Sequence, residues 1–361
     1  MLKNYLTIAF RNLKRHKLFS FINILCLSLG ITFSLLIGVY IIKEKNVNAD
    51  LHNAGNQYLI KSNWKVKNMG LDITTIGPLA KAMKEEYPNL VANYYRYNPV
   101  TNIVSAGDNY FKEDIAISDT TFVSMYGFEL LHGNKQRPFR DNNSAVITES
   151  MAIKLFGRTD AINQRISVQT LVNNEKQDYL VSAVLKDFPY NSVTGLINSK
   201  YTVFVPFVDN HYYQGEAAGS WNDAYVVGFI ELKDGVKPTD MKIPFRQMLE
   251  KNAPENIKNN LEVELAPVRD YYVKANNSAA QKMITTLALI GGFILVMAVI
   301  NFINISIGTS SYRLKEIGLR KVLGGKRKEL VLQFLSESTL LTIIAGAISL
   351  LCYALLRPVF N

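Results

Sequence analysis

Cysteine, histidine and flanking acidic residues are the scarce components of this 361-residue chain, and each scarcity excludes something. The two cysteines, Cys26 and Cys352, lie inside long apolar runs, where a lone thiol behaves as a small hydrophobe. They give the polar part of the chain neither a disulfide framework nor a metal site, and they say nothing about redox compartment. The four histidines (His16, His52, His132, His211) are scattered, with no His-Glu-x-x-His spacing and no cysteine partners, so no zinc site is legible. A phosphate-binding loop is missing: Gly324-Gly325-Lys326 is followed by Arg327, and position 320, where the first glycine belongs, is Arg. There is no Gly-x-Ser-x-Gly elbow. The adjacent carboxylates Glu85-Glu86 and Glu113-Asp114 sit in polar stretches and read as solvated surface. Nothing here argues for an enzyme, and no cofactor is expected on this chain.

Acidic charge is absent from particular places. Residues 43–282 carry 27 Lys/Arg and 27 Asp/Glu and are neutral, whereas the flanks hold 13 basic and 3 acidic side chains and supply the whole net charge of +10. These basic groups crowd against uncharged runs, Phe19–Ile42, Met283–Tyr312 and Ser338–Leu356, each near the length of about 20 apolar residues that a spanning helix needs. Lys3, Arg11, Lys14, Arg15 and Lys17 precede the first, and seven more lie between Arg313 and Lys328. Basic residues near span ends mark the cytoplasmic side. The N-terminus is therefore expected in the cytoplasm, residues 43–282 outside, 313–329 inside and the last residues outside. A secretory signal would have an apolar core of roughly 7–15 residues and an Ala-x-Ala site. The first run is longer and ends in Tyr40-Ile41-Ile42-Lys43, so it reads as an uncleaved anchor. The polar block has no basic patch with interleaved aromatics, so the positive charge implies membrane lipid and no nucleic acid.

The expected segments are an amphipathic cytoplasmic helix at 1–18, span 1 at 19–42, an extracytoplasmic domain at 43–282 and span 2 at 283–312. A cytoplasmic loop or helix at 313–329, span 3 at 330–356 and an extracytoplasmic end at 357–361 complete the chain. In the first helix Leu2, Leu6, Ala9, Phe10 and Leu13 share a face opposite Arg11, Lys14 and Arg15. Within span 1, Gly30, Ser34 and Gly38 recur every four residues, a spacing that lets another helix approach closely in lipid. Asn301 and Asn304 share a face of span 2 and suit hydrogen bonding to a neighbouring helix. Glu337, about 12 Å past Glu329 along a helix, belongs either at the interface or against another helix.

The 43–282 block reads as α+β. Tyr58, Ile60, Trp64 and Val66 nearly alternate as in a half-buried strand. Pro78 and Pro88 bracket a helix, and Tyr94–Val104 is extended. A similar order returns with a strand at Tyr225–Leu232, a helix at Pro238–Lys251 and a strand at Leu261–Val268. These form two β-α-β lobes around an insert. Inside the insert, Ala145–Thr148 is a strand, Thr148 suits the N-cap of a helix to Phe156, and Gly157 suits its stop. Asp178–Leu185 and Tyr201–Val208 are further strands. The fold class is an integral membrane α-helical protein with three spans plus this α+β domain.

The cytoplasmic stretch Arg313-Leu314-Lys315-Glu316-Ile317-Gly318-Leu319-Arg320-Lys321-Val322-Leu323-Gly324-Gly325 suits a short amphipathic helix, which would dock in a partner's groove or lie on lipid. With Asn301-Phe302-Ile303-Asn304 before it and Gln333-Phe334-Leu335-x-Glu337-Ser338 after it, this stretch resembles the MacB/FtsX-type permeases of ABC transporters. Asn4-Tyr5-Leu6-x-Ile8-Ala9-Phe10-Arg11-Asn12-Leu13 is similar to that family's first helix. Ala145–Ser150, Leu155-Phe156-Gly157 and Asp187-Phe188-Pro189-x-Asn191-Ser192 resemble its extracytoplasmic core domain.

The resemblance implies a subunit that couples a cytoplasmic ATPase, carrying ATP and Mg, to the outer domain through Arg313, Glu316, Gly318, Arg320, Lys321 and Gly324. Implied partners are that ATPase, a second permease copy or complementary half, and a periplasmic adaptor. A non-transporting FtsX-like signalling scaffold stands as the alternative. The family has four spans per unit and this chain stops after three, which suggests a truncated or inactive product, half of a split permease, or a fragment. Ala161-Ile162-Asn163-Gln164 stands where relatives carry a Gly-Lys pair, so that turn is expected to differ.

Overall fold

The structure, a computed structural model, describes residues 10–359 except 12, 14–16, 67–68, 172–173, 189, 196–199, 208–215, 312–317, 319–321 and 323–326. Side chains are not described at 216–217, 275–277, 309–311, 327, 329 and 359. Two compact units form: Met1–Lys45 with Asn276–Asn361, and Asn46–Ala275.

Helix α1 (Lys17–Lys45) comes first. The Asn46–Ala275 unit opens with β1 (Gln57–Trp64), α2 (Leu79–Glu86) and β2 (Val91–Ala106). It continues with β3 (Asn109–Ser118), α3 (Phe122–Tyr126), β4 (Leu130–Gly133), β5 (Ser144–Thr148) and α4 (Glu149–Phe156). Next come β6 (Arg165–Gln169), β7 (Lys176–Leu185) and β8 (Val203–Pro206). The unit closes through β9 (Val227–Leu232), α5 (Lys242–Asn252), α6 (Glu255–Asn260) and β10 (Leu261–Pro267). Two long helices follow among the described residues, α7 (Val268–Ser311) and α8 (Arg327–Leu356).

β1 pairs antiparallel with both β10 and β9, and β2 pairs antiparallel with β9, so the order is β10-β1-β9-β2. The two β-α-β units are present, and they interlock: β9 lies between the strands of the first unit and β1 between those of the second, a split β-α-β sheet. On one face α2, α5 and α6 set Leu79, Met83, Phe245, Met248 and Ile257 against Ile60, Ile230 and Leu265. The other face packs Leu59, Tyr95, Tyr97 and Phe229 against α3. With both faces covered, β9 is buried along its whole length. A Cβ at Gly228 would fall 2.9 Å from Thr75 Cγ2, so the neighbouring loop comes this close only over glycine.

The insert between β2 and β9 closes on itself. The C-terminal half of β2 pairs with β3, β3 with β8, β8 with β5, β5 with β7, β7 with β6, and β6 returns to β2. Alternate residues of these strands share one buried cluster, including Val104, Ile115, Ile147, Ile166, Val181 and Val203. That common face is the inside of the ring, and α4 adds Met151, Ala152 and Leu155 to it. Thr148 caps α4 by accepting from Met151 N at 3.3 Å, and Gly157 ends it at φ 70°. Strand β2 serves both parts, with Val91–Tyr97 in the split sheet and Tyr97–Ala106 in the ring.

Several ends differ from expectation. β1 stops at Trp64 and leaves Val66 exposed, and β9 starts at Val227 and leaves Tyr225 exposed. The helix expected over 238–251 starts as a 3-10 turn, Pro238–Met241, before α5. Tyr201 is a buried side chain outside β8, and Val208 lies outside the described residues. Glu113 is not solvated surface: its side chain is 12% exposed, ion-paired with Lys154 and accepting from Thr202 Oγ1. In the turn at 161–164, Asn163 takes the left-handed conformation at φ 61°, which asparagine tolerates better than most residues.

In the other unit, the stretches long and apolar enough to cross a membrane are Lys17–Lys45, Ser278–Gly308 and Leu330–Leu356. α1 runs antiparallel to α7, since Asn23 meets Ser306 and Ser34 meets Gly291. It runs parallel to α8, since Leu27 clusters with Ala345 and Thr32 Oγ1 lies 3.4 Å from Ser349 O. The start of α1, the end of α7 and the start of α8 therefore share one end of this unit. Glu337 is 9% exposed and accepts from Gln333 Nε2 at 3.3 Å, so it is buried within the helices.

Candidate functional site

Along the helix seam, a Cβ on Gly30 would lie 2.4 Å from Ala298 Cβ, so only glycine permits that approach. Ser34 Oγ donates to Gly291 O at 3.0 Å. Nothing lies within 4 Å of a Cβ on Gly38, which takes no part in this contact. Asn301 is half-buried and Asn304 exposed. The amide reaching between helices is Asn23, buried, with Nδ2 3.5 Å from Ser306 Oγ. Of the segment that resembles an ATPase-contacting helix, Gly318 and Val322 are described as helical and exposed. Arg313, Glu316, Arg320, Lys321 and Gly324 lie outside the described residues, as does most of the 1–18 helix. Among the described residues no group of three His, Cys, Asp or Glu could hold a metal ion.

The α+β domain buries an ion pair where β2 passes from sheet to ring. Arg96 Nε and Nη2 donate to the two Asp119 oxygens at 2.8 Å each, and Arg96 Nη1 donates to Gly77 O at 2.8 Å and Ala218 O at 2.9 Å. Its guanidinium also stacks over Phe207 and Tyr94. Burial disfavours the Arg96 charge, yet the Asp119 hydrogen bonds and charge outweigh it and hold the guanidinium above its ordinary pKa. Tyr94 is pushed up to about 12, by burial first and then by the Asp119 charge, against the opposing Arg96. Burial likewise holds Tyr95, Tyr97 and Tyr126 well above the ordinary value.

A second junction gathers the domain's two ends. Asn48, three residues after α1, is buried with φ 71°. Its Nδ2 donates to Val268 O and to Ser192 Oγ at 2.7 Å each, and its Oδ1 accepts from Ser192 N at 2.7 Å. Asn191 Oδ1 accepts from Val193 N, Thr194 N and Thr194 Oγ1, which fixes the loop that presents Ser192. Arg96 carried a signal in the sequence, as a lone cation in the strand Tyr94-Tyr95-Arg96-Tyr97 that requires a buried partner. Asn48 carried none.

Fold and sites together define a class: a multi-pass membrane protein with a large α+β domain inserted between its first and second spans. The chain belongs to the MacB/FtsX-type permease family of ABC transporters, since the MacB-like periplasmic core domain matches residues 20–246 and the FtsX-like permease C-terminal region matches residues 288–361. It is 26% identical over 211 residues to the macrolide export ATP-binding/permease protein MacB of Bdellovibrio bacteriovorus, covering 57% of this chain and 30% of that protein. With the ABC transporter permease YknZ of Bacillus subtilis it shares 26% over 218 residues, 58% of this chain and 47% of that one. It thus spans less than half the length of these relatives. The crystal structure of the periplasmic region of MacB from Actinobacillus actinomycetemcomitans aligns with 61% of this chain and 91% of that one, at 12% identity and a TM-score of 0.42.

Proposed function

We propose that the chain is the membrane-spanning subunit of an ABC exporter in a bacterial inner membrane, working by mechanotransmission. A separate ATPase, which binds ATP and Mg and performs the hydrolysis, docks on residues 313–325 through Arg313, Glu316, Gly318, Arg320, Lys321 and Gly324. Its closure displaces that segment, and α1 and α7 carry the displacement to the α+β domain outside. There the domain exports or extracts a peptide, lipoprotein, lipid or hydrophobic drug, together with a second permease copy or complementary half and a periplasmic adaptor.

The helix directions carry this reading. The start of α1, the end of α7 and the start of α8 share one end of their unit, which supports a common side for the basic sequences adjoining them. Relatives named for macrolide and pyoverdine export support an exported substrate. The test is co-purification with an ATPase: Glu316→Lys and Arg320→Glu are expected to abolish the association and the stimulated hydrolysis, and unchanged values would refute docking at this segment. The alternative reading is an FtsX-like signalling scaffold without transport, with which the match at 288–361 is equally compatible. Substrate movement in reconstituted vesicles separates the two.

A further inference from the structure

We infer that Asn48 is a positioning residue that links both ends of the α+β domain to its ring, so that displacement of either connecting segment reaches the ring through the 187–194 loop. The inference rests on the permease reading above.

The backbone alone leads elsewhere. The chain leaving α1 runs into β1, and β10 runs into α7, and these two strands pair within the split sheet. The ring belongs to the insert. Leu51, Val268 and Tyr271 share an apolar core with ring residues such as Val146 and Phe204, and the polar contacts that join the ring to the domain's ends lie on one loop. At its start, Asp187 Oδ1 accepts from Ser150 N at 3.2 Å and Ser150 Oγ at 3.0 Å, in the first turn of α4, whose other face fills the ring. Phe188 stacks on Phe128 at 4.6 Å. Tyr190 meets Tyr272 of α7 edge-on at 5.5 Å. Ser192 then gives both its backbone N–H and its hydroxyl to Asn48 hydrogen bonds.

Asn48 completes the connection by bonding Val268 O, the first residue of α7, with the same amide nitrogen. One side chain thus ties entrance, exit and loop through three bonds, nearly the capacity of a primary amide in such a site. These bonds are buried, where breaking one leaves its partner unsatisfied at full desolvation cost. A connection of this kind moves as a unit or comes apart; it has no soft intermediate. The left-handed backbone at Asn48 separates two roles, because glycine adopts that conformation freely and lacks the amide.

The experiment is hydrogen exchange on the full chain with its ATPase in lipid nanodiscs, with and without a non-hydrolysable ATP analogue. In the wild type, nucleotide is expected to alter exchange in both the connecting peptides (46–56 and 264–274) and the ring peptides (144–156). In Asn48→Gly the connecting peptides still respond, while the ring response falls roughly ten-fold, the scale of losing the two buried hydrogen bonds to Ser192 out of the three removed. Domain melting by tryptophan fluorescence is expected to drop but stay cooperative, because buried partners lose their bonds, and the basal ATPase rate stays in place. A merely structural asparagine would lower the melt as well but leave the ring response intact, and that outcome overturns the inference.

If Asn48→Gly loses its cooperative melt, Ser192→Ala decides: a reduced ring response that Ser192→Thr restores supports the connection, and a full response sinks it. A wild-type domain that shows no nucleotide response anywhere defeats the permease reading and the inference with it. A wild-type response retained in Asn48→Gly defeats the inference alone.

Discussion

One core of the α+β domain is built around large aromatic side chains. Phe122 stacks on Phe204 at 4.5 Å, Tyr95 on Tyr97 at 5.5 Å, and Phe229 lies beneath both tyrosines. The three-helix unit meets through Gly30, Ala298, Ala345 and Ser349, while its large residues, such as Phe33, Phe293, Leu351 and Leu355, point outward. Same chain, opposite logic: in water, burying aromatic area drives association, whereas lipid is as apolar as leucine and helices gain only by close approach and shared hydrogen bonds. Polar groups follow the same division. The domain sequesters a full ion pair with all three guanidinium nitrogens of Arg96 engaged, and the helices use single hydroxyls turned onto a neighbouring backbone, as Ser34 does with Gly291.

The sharpest way to break this contrast is at Arg96. Arg96→Met leaves the Asp119 carboxylate without its counter-charge and is expected to cost the domain about 3–5 kcal/mol. Adding Asp119→Leu should recover most of that loss. Both tryptophans, Trp64 and Trp221, lie in the domain, so denaturant titration by their fluorescence reads it selectively. A double variant as unstable as the single would show that the charge pair is not what matters.

A smaller effect is expected in the helices. Gly30→Val forces a methyl-bearing carbon onto Ala298 and should destabilise the helix contact by roughly 1–3 kcal/mol. Gly38→Val meets open space and should change nothing. Helical circular dichroism against denaturant in mild detergent distinguishes the pair, and the tryptophan signal should ignore both. Equal effects at positions 30 and 38 would mean that the small-residue spacing acts as a general stripe and not through one contact.

The smallest effect is alkaline. An unfolded chain releases the Tyr94 proton near pH 10, and the folded domain holds it until about 12. The native state therefore binds more protons in that window: stability is fully present below pH 10 and falls as pH rises toward 12. Tyr94→Phe should flatten that decline slightly, with Tyr95, Tyr97 and Tyr126 still contributing. An unchanged slope would place Tyr94 outside the effect.

How much of this was legible follows from the range of the signals. Local chemistry reads well: Thr148 and Gly157 bound α4, Pro78 opens α2, and uncharged runs mark the spans. Strand β3 escaped because the consecutive charges Lys112-Glu113-Asp114 interrupt the apolar alternation that resumes at Ile115 and Ile117. The short β4, β6, α3 and α6 carry too few residues for any period to show. The interlocking of the two β-α-β units and the closure of the ring are pairings between distant segments, and no local pattern encodes them. Asn48 is similar: its two partner residues lie 144 and 220 residues away.

The position of β9 between β1 and β2 sets an order of events during biogenesis. Strand β1 emerges early yet has no partner until residues 227–267 have followed it, because its two neighbours are β9 and β10. The insert can meanwhile pair β2 with β3 and close its ring on its own. A nascent chain thus holds one unpaired, apolar strand beside a finished ring, and contacts this distant form slowly. That interval is when the domain is most exposed to chaperones and to proteases, and it ends when the last forty residues of the domain arrive to bracket β1.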